Sequence, residues 1–162
     1  MNHTIYLALG TNLGDRQQNL ATALRLLEAQ VQGVHSSPIY ETAPWGYLEQ
    51  DNFLNIVARG QTRLTPPQLF NLVKSIENEM GRVKIIKDGP RLIDIDILFY
   101  DNQLYNSPTL EIPHPRMRGR SFVLVPLADL APDFIHPVYH LAIRQLAAET
   151  DPSTLWLYNP RP

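Results

Sequence analysis

The stretch that most narrows the folds open to this chain is Arg91-Leu92-Ile93-Asp94-Ile95-Asp96-Ile97-Leu98-Phe99. Side chains alternate along a β-strand, so Ile93, Ile95 and Ile97 share one face while Asp94 and Asp96 share the other. The isoleucine face needs cover, and the aspartate face is left to polar chemistry. A strand over Leu92 to Tyr100 is therefore one member of a layered α+β arrangement, with helices packed on one side of a sheet.

The rest of the chain supplies the other members. Ile5 to Leu9 is short and apolar and ends at Gly10, which predicts a buried strand followed by turn residues through Asp15. Leu20, Ala23, Leu24, Leu27 and Val31 recur at helical spacing and predict a helix from about Asp15 to Val31. Val34 to Tyr40 and Phe53 to Gln61 are two further strands, separated by a loop over Glu41 to Tyr47 that carries two aromatics. Thr65, Pro66, Pro67 and Gln68 spell a capping box with proline in the first helical turn. The stripe Leu69, Leu72, Val73, Ile76 and Met80 follows, and Gly81 ends that helix. Asp101-Asn102 predicts a hairpin turn leading into Gln103 to Asn106. Phe122 to Leu130 and an amphipathic helix near Leu141 to Ala148 complete the chain. Strands alternating with helices imply an α+β sandwich whose helices cover a mostly antiparallel sheet.

Composition bounds the function. The 162 residues suit one compact domain, taken as 1–162. With 14 Lys+Arg against 16 Asp+Glu, the chain lacks the basic excess of a nucleic-acid binder. It has no cysteine, which removes disulfides, thiolate metal sites and a cysteine nucleophile. No apolar run nears the ~20 residues of a membrane span, and the N-terminus has no signal segment, so a soluble cytoplasmic domain is expected.

Asp94 and Asp96 sit about 6.5–7 Å apart along the strand, within reach of cations held between them. Two adjacent acids repel unless cations compensate, although an isolated Asp-x-Asp also suits the solvated face of a half-exposed strand. Oxygen ligands without nearby His or Cys favour Mg²⁺, which keeps waters and completes its shell with phosphates, so a nucleotide substrate follows. Arg82, Lys84, Lys87 and Arg91 place cations on an irregular segment just upstream. Arg116, Arg118 and Arg120 form a second basic group after His114. Loop-borne cations of this kind can close on a phosphate chain. There is no P-loop, no dinucleotide fingerprint and no nucleophile elbow. His3, His35, His136 and His140 have no metal spacing and are expected to be ordinary polar positions.

Gly10-Thr11-Asn12-Leu13-Gly14-Asp15, Ile76-Glu77 with Gly81-Arg82, Gly89-Pro90-Arg91-Leu92-Ile93-Asp94-Ile95-Asp96 and Ile112-Pro113-His114-Pro115-Arg116-Met117 occur in that order. Together they resemble the 6-hydroxymethyl-7,8-dihydropterin pyrophosphokinase family over roughly residues 5 to 135. The resemblance implies a ferredoxin-like α+β fold, a monomer, and ATP with two Mg²⁺ ions. It implies transfer of the terminal pyrophosphate of ATP to the hydroxymethyl group of the pterin, with AMP released, in folate biosynthesis. By the same likeness Asp94 and Asp96 hold the metal and, with Arg82 and Arg91, are the catalytic set. Glu77, Arg82, Lys84, Arg91, Leu110, His114 and Arg120 correspond to ATP-binding positions. Asn55 would hydrogen-bond the pterin between Phe53 and Phe122, and backbone around Thr42, Ala43 and Trp45 would complete the pocket. Two departures stand out: Asp88 where the family generally has an aromatic, and Lys84 where it often has arginine.

One feature of the third strand agrees independently. Phe53, Asn55 and Val57 face one way, so an aromatic platform and an amide can meet one flat heterocycle. Two rival readings remain, another Mg²⁺–nucleotide transferase with the same acid pair and a ferredoxin-like RNA-binding module. Net charge and the paired aspartates oppose the second.

Overall fold

The computed structural model describes residues 1–44, 50–81 and 92–160. In chain order the elements are β1 (His3–Thr11), α1 (Arg16–Leu27), β2 (Gln32–Ser36), β3 (Tyr40–Thr42), β4 (Phe53–Thr62), α2 (Pro66–Glu79) and β5 (Asp94–Tyr100). They continue with β6 (Tyr105–Asn106), β7 (Glu111–Ile112), α3 (Ser121–Leu130), α4 (Ile143–Ala148) and β8 (Leu155–Leu157). The main sheet runs β5-β1-β4-β3-β8, and β2 also pairs with β4. Every pairing in it is antiparallel. With β2 and β3 both pairing with β4 and serving as one broken strand, the order is βαββαβ with β1 between β4 and β5, the ferredoxin-like sandwich that the resemblance implies.

One face of the sheet buries Ile5, Leu7, Leu9, Leu54, Ile56, Ile93, Ile95 and Ile97 against Leu20, Ala23 and Leu27 of α1 and Leu69, Val73 and Ile76 of α2. Each leucine, isoleucine or valine among them removed from water contributes about 1.5–3 kcal/mol before entropy is subtracted. The other face is covered by α3 and α4, which pack on Tyr6, Val57, Leu98 and Phe99. A bulge makes both Leu98 and Phe99 serve that second layer. Tyr6 pairs with Phe99 but Leu7 pairs with Ile97, so Leu98 is the extra residue and Tyr100 returns to the α1–α2 core.

The capping box is present as expected: Gln68 N donates to Thr65 Oγ1 at 3.3 Å, and Thr65 N donates to Gln68 Oε1 at 2.9 Å. Gly81 follows α2 at φ +79°, a conformation that glycine takes without steric cost.

Four expectations are corrected. Helix α1 stops at Leu27 rather than Val31, and Val31 is buried after the turn that follows. The strand expected over Val34 to Tyr40 is two strands. Pro38 has no N–H for the ladder, and Ser37 bridges the gap by accepting from Val57 N through Oγ and donating its own N–H to Val57 O. Gly10 is not turn chemistry, because β1 continues through Thr11. Finally, Tyr105–Asn106 pairs with Glu111–Ile112 and not with β5. The outer edge of β5 is already used, since Ile95 N donates to Glu77 Oε2 and His114 N donates to Leu98 O.

Candidate active site

Strand register brings the candidate residues together. Gly10 on β1 faces Asn55 on β4 and Asp94 on β5; two residues away, Ala8 faces Val57 and Asp96. Directly opposed residues point to the same face of a sheet. Asp94, Gly10 and Asn55 therefore form one row and Asp96, Ala8 and Val57 the next. Neighbouring strands lie about 4.8 Å apart, so the backbones of Asp94 and Asn55 are about 10 Å apart with no side chain between them. A Cβ on Gly10 would lie 2.8 Å from Asn55 Oδ1 and 3.7 Å from a Phe53 ring carbon. The glycine thus leaves a trough over β1 that the Asn55 amide reaches into from one side and the carboxylate row borders on the other. No sequence argument singled out Gly10, although its signal was available. Ala8 and Gly10 are the small residues on one face of a strand whose other face is Ile5, Leu7 and Leu9.

The isoleucine and aspartate faces divide as expected. Ile93, Ile95 and Ile97 are buried, Asp94 is half-buried and Asp96 is exposed. Among the described residues no group of three or more metal-ligating His, Cys, Asp or Glu gathers. Two carboxylates on one strand face, one half-buried and one exposed, fit a hard cation that takes its remaining ligands from water and phosphate.

Asn55 is buried, and its Nδ2 donates to Thr42 Oγ1 at 2.9 Å, which fixes the amide and joins β4 to β3. Phe53 shares that face and is half-buried, while Ala43 is exposed just beyond β3. Phe122 lies in the first turn of α3, the helix that packs over β4. The guanidinium of Arg120 stands 5.7 Å from the Phe122 ring centroid.

His114 is tied to the β5 bulge through its backbone bond to Leu98 O at 3.1 Å, after a cis peptide at Ile112–Pro113. Its Nδ1 accepts from Arg116 N at 3.2 Å, so the neutral ring carries its proton on Nε2 and offers a donor there. Burial pushes its pKa below the ordinary value. Asp96 acts against that shift, and Arg120 and Arg116 add to it. An acid, a donor and cations thus meet beside β5. Leu110 is half-buried on the α1–α2 side, in the loop between β6 and β7.

Glu77 is buried, with Oε2 accepting from Ile95 N at 2.8 Å and Oε1 accepting from Lys74 Nζ at 3.0 Å. It braces the strand segment between the two aspartates. Trp45, Arg82, Lys84 and Arg91, together with the Asp88 departure, lie outside the described residues.

Two further contacts on the described residues escaped sequence reasoning. Asn12 Nδ2 donates to Gln50 Oε1 and Asp51 O, and Arg16 donates to Glu41 Oε2 and Asn52 O. These bonds tie the β1–α1 turn to both flanks of the loop between β3 and β4.

The profile of the family described as 7,8-dihydro-6-hydroxymethylpterin-pyrophosphokinase (HPPK) matches residues 6–132. The chain belongs to that family. Among relatives of the HPPK family, the 2-amino-4-hydroxy-6-hydroxymethyldihydropteridine pyrophosphokinase of Aquifex aeolicus is 39% identical. That match covers 90% of this chain and 91% of the relative. The Bacillus subtilis protein of the same name is 45% identical over 80% of this chain and 79% of its own. The folic acid synthesis protein FOL1 of Dictyostelium discoideum is 46% identical over 90% of this chain, which spans 22% of that longer protein. Wild-type Plasmodium falciparum HPPK-DHPS, solved with pteroate, superposes with a TM-score of 0.76 at 18% identity. It covers 92% of this chain and 44% of its own, a likeness of fold.

Proposed function

We propose that this HPPK-family chain transfers the terminal pyrophosphate of ATP to the hydroxymethyl group of 6-hydroxymethyl-7,8-dihydropterin, releasing AMP, in folate biosynthesis. The observation that carries the reading is the row Asp94–Gly10–Asn55. A fixed amide and a pair of carboxylates stand on one sheet face at opposite sides of Gly10, at a separation a bicyclic ring with one substituent can span.

Asn55, oriented by Thr42, offers an acceptor and a donor to the pterin edge, with Phe53 and Phe122 as platforms for its faces. Backbone at Thr42 and Ala43 borders the slot, and by the family resemblance Trp45 contributes to pterin binding. Asp94 and Asp96 would hold Mg²⁺, which when bound would neutralise the phosphates and help orient the attacking and leaving oxygens. Glu77 acts on ATP through β5, holding Ile95 so that the carboxylates on either side converge. His114 donates from Nε2 toward a phosphate oxygen, and Arg120 adds a fixed charge. Leu110 borders the nucleotide, and Arg82, Lys84 and Arg91 clamp the phosphate chain. The hydroxymethyl oxygen attacks the β-phosphorus in line, the bond from that phosphorus to the α–β bridging oxygen breaks, and AMP leaves. The hydroxyl proton passes to solvent. Positioning and charge stabilisation supply the acceleration. The enzyme acts as a cytoplasmic monomer with two Mg²⁺ ions and no nucleic-acid or membrane partner. Among the described residues no helix is long and apolar enough to cross a membrane.

Chromatography of a reaction containing ATP, Mg²⁺ and the hydroxymethyl pterin tests this. AMP and a diphosphorylated pterin in equal amounts are expected. ADP, or AMP without a pterin product, would refute the proposal.

A further inference from the structure

Tyr40 continues the active-site row one strand beyond Asn55, because β3 pairs Tyr40 with Asn55 and Thr42 with Phe53. Its side chain is therefore on the site face, yet it lies on the far side of Asn55 from Gly10. Its hydroxyl donates to Asp129 Oδ2 at 2.5 Å. Asp129 lies near the end of α3, the helix whose first turn presents Phe122 and whose preceding residue is Arg120. The other end of α3 is tied down as well, by the 2.5 Å hydrogen bond between Ser121 Oγ and Thr154 Oγ1, next to the start of β8. The helix is thus tied at both of its ends to the β3–β8 side of the sheet, beside the proposed ring slot.

We infer that Tyr40 and Asp129 are a positioning pair that sets the height of α3 over β3 and β4, and with it the gap between Phe122 and the Phe53–Asn55 floor. The inference rests on the pterin slot proposed above. Neither residue touches the substrate in this account; both act through the helix. A flat ring held between two faces is sensitive to this height, since a 0.5–1 Å gap already forfeits a quarter to a half of each dispersion contact. The bond suits a fixed spacer. It is charge-assisted, a neutral hydroxyl donating to a carboxylate. Burial, followed by the Asp129 carboxylate, raises the Tyr40 pKa to about 12, so the hydroxyl keeps its proton at any ordinary assay pH. Asp129 is exposed and Tyr40 only half-buried, so loss of the bond should leave global stability nearly unchanged.

Steady-state kinetics of the full chain separate positioning from plain stability. Tyr40→Phe is expected to raise KM for the pterin about tenfold, with KM for ATP unchanged, kcat within twofold and the melting temperature near the parent's. Asp129→Ala should reproduce this, and the double variant should be no worse than either single. Asp129→Asn keeps an acceptor oxygen and should stay close to the parent. An unchanged pterin KM in Tyr40→Phe, an equal rise for ATP, or Asp129→Asn behaving like Asp129→Ala overturns the inference. Asn55→Ala, assayed alongside, distinguishes the two levels. If it raises the pterin KM while Tyr40→Phe does not, only the spacer role falls. If Asn55→Ala has no effect either, the slot and the inference fall together.

Discussion

Gly10→Ala is the smallest change that should damage the trough. The added Cβ would lie 2.8 Å from Asn55 Oδ1, about 0.6 Å short of ordinary contact, where repulsion rises steeply. The neighbour that must yield is a buried amide already committed to Thr42, so Asn55 must give up its orientation. One or two ligand hydrogen bonds lost at about 1.5 kcal/mol each correspond to roughly a 10- to 100-fold weaker grip on the pterin. No Asp94 atom is among the close neighbours of that Cβ, so the carboxylate side should be spared. Alanine also suits a strand better than glycine by roughly 0.5–1 kcal/mol, which offsets part of the crowding. The expected pattern is a pterin KM raised 10- to 100-fold, an ATP KM within twofold and a melting temperature within a few degrees of the parent. A folded Gly10→Ala protein with an unchanged pterin KM would refute the assignment of the trough.

Further outcomes follow from buried polar groups. Glu77→Ala leaves Ile95 N–H without its acceptor and should cost about 3 kcal/mol in urea unfolding, whereas Glu77→Gln keeps one oxygen and should cost about 1 kcal/mol. Equal stability of the alanine variant and the parent would remove Glu77 as the brace of β5. His136 is buried, and its Nδ1 accepts from Val138 N and Tyr139 N. Burial, helped by Arg118 and His140, lowers its pKa to about 4. The unfolded chain takes up this proton near the ordinary pKa of about 6.5 while the fold refuses it, so stability is lost as pH falls from about 6.5 to about 4. The full effect is on the order of 3 kcal/mol. Denaturation midpoints of His136→Gln should fall less steeply with acid than the parent's, and parallel curves would contradict the linkage.

The parts of the fold legible in the sequence were those set by local chemistry. The Thr65–Gln68 cap is read from side chains that satisfy backbone within one turn. The split of Ile93, Ile95 and Ile97 from Asp94 and Asp96 follows from strand geometry alone. Elements that depend on partners were not legible. Gln103 to Asn106 follows a turn signal, but Glu77 and His114 take the edge of β5 that it would need. The break at Pro38 required knowing that Ser37 could bridge to Val57. In the site, Asp94 and Asp96 were marked by residue type and spacing, and Asn55 by the family resemblance, with its strand face in agreement. Gly10 and Tyr40 became visible only through register, because their roles lie in what they face across the sheet. Glu77 was marked as an ATP position, and its bond to Ile95 shows the support it gives from behind the strand.

The central claim is that the Asp94–Asp96 face and the Asn55 amide are two halves of one site. Its most direct test is a crystal of the chain grown with Mn²⁺, a non-hydrolysable ATP analogue and the hydroxymethyl pterin, with data collected at the manganese edge. Anomalous peaks are expected beside Asp94 and Asp96, with the pterin on Asn55 and its hydroxymethyl group over Gly10, pointing at the β-phosphorus. Metal bound elsewhere, or a pterin seated away from Asn55, would contradict it.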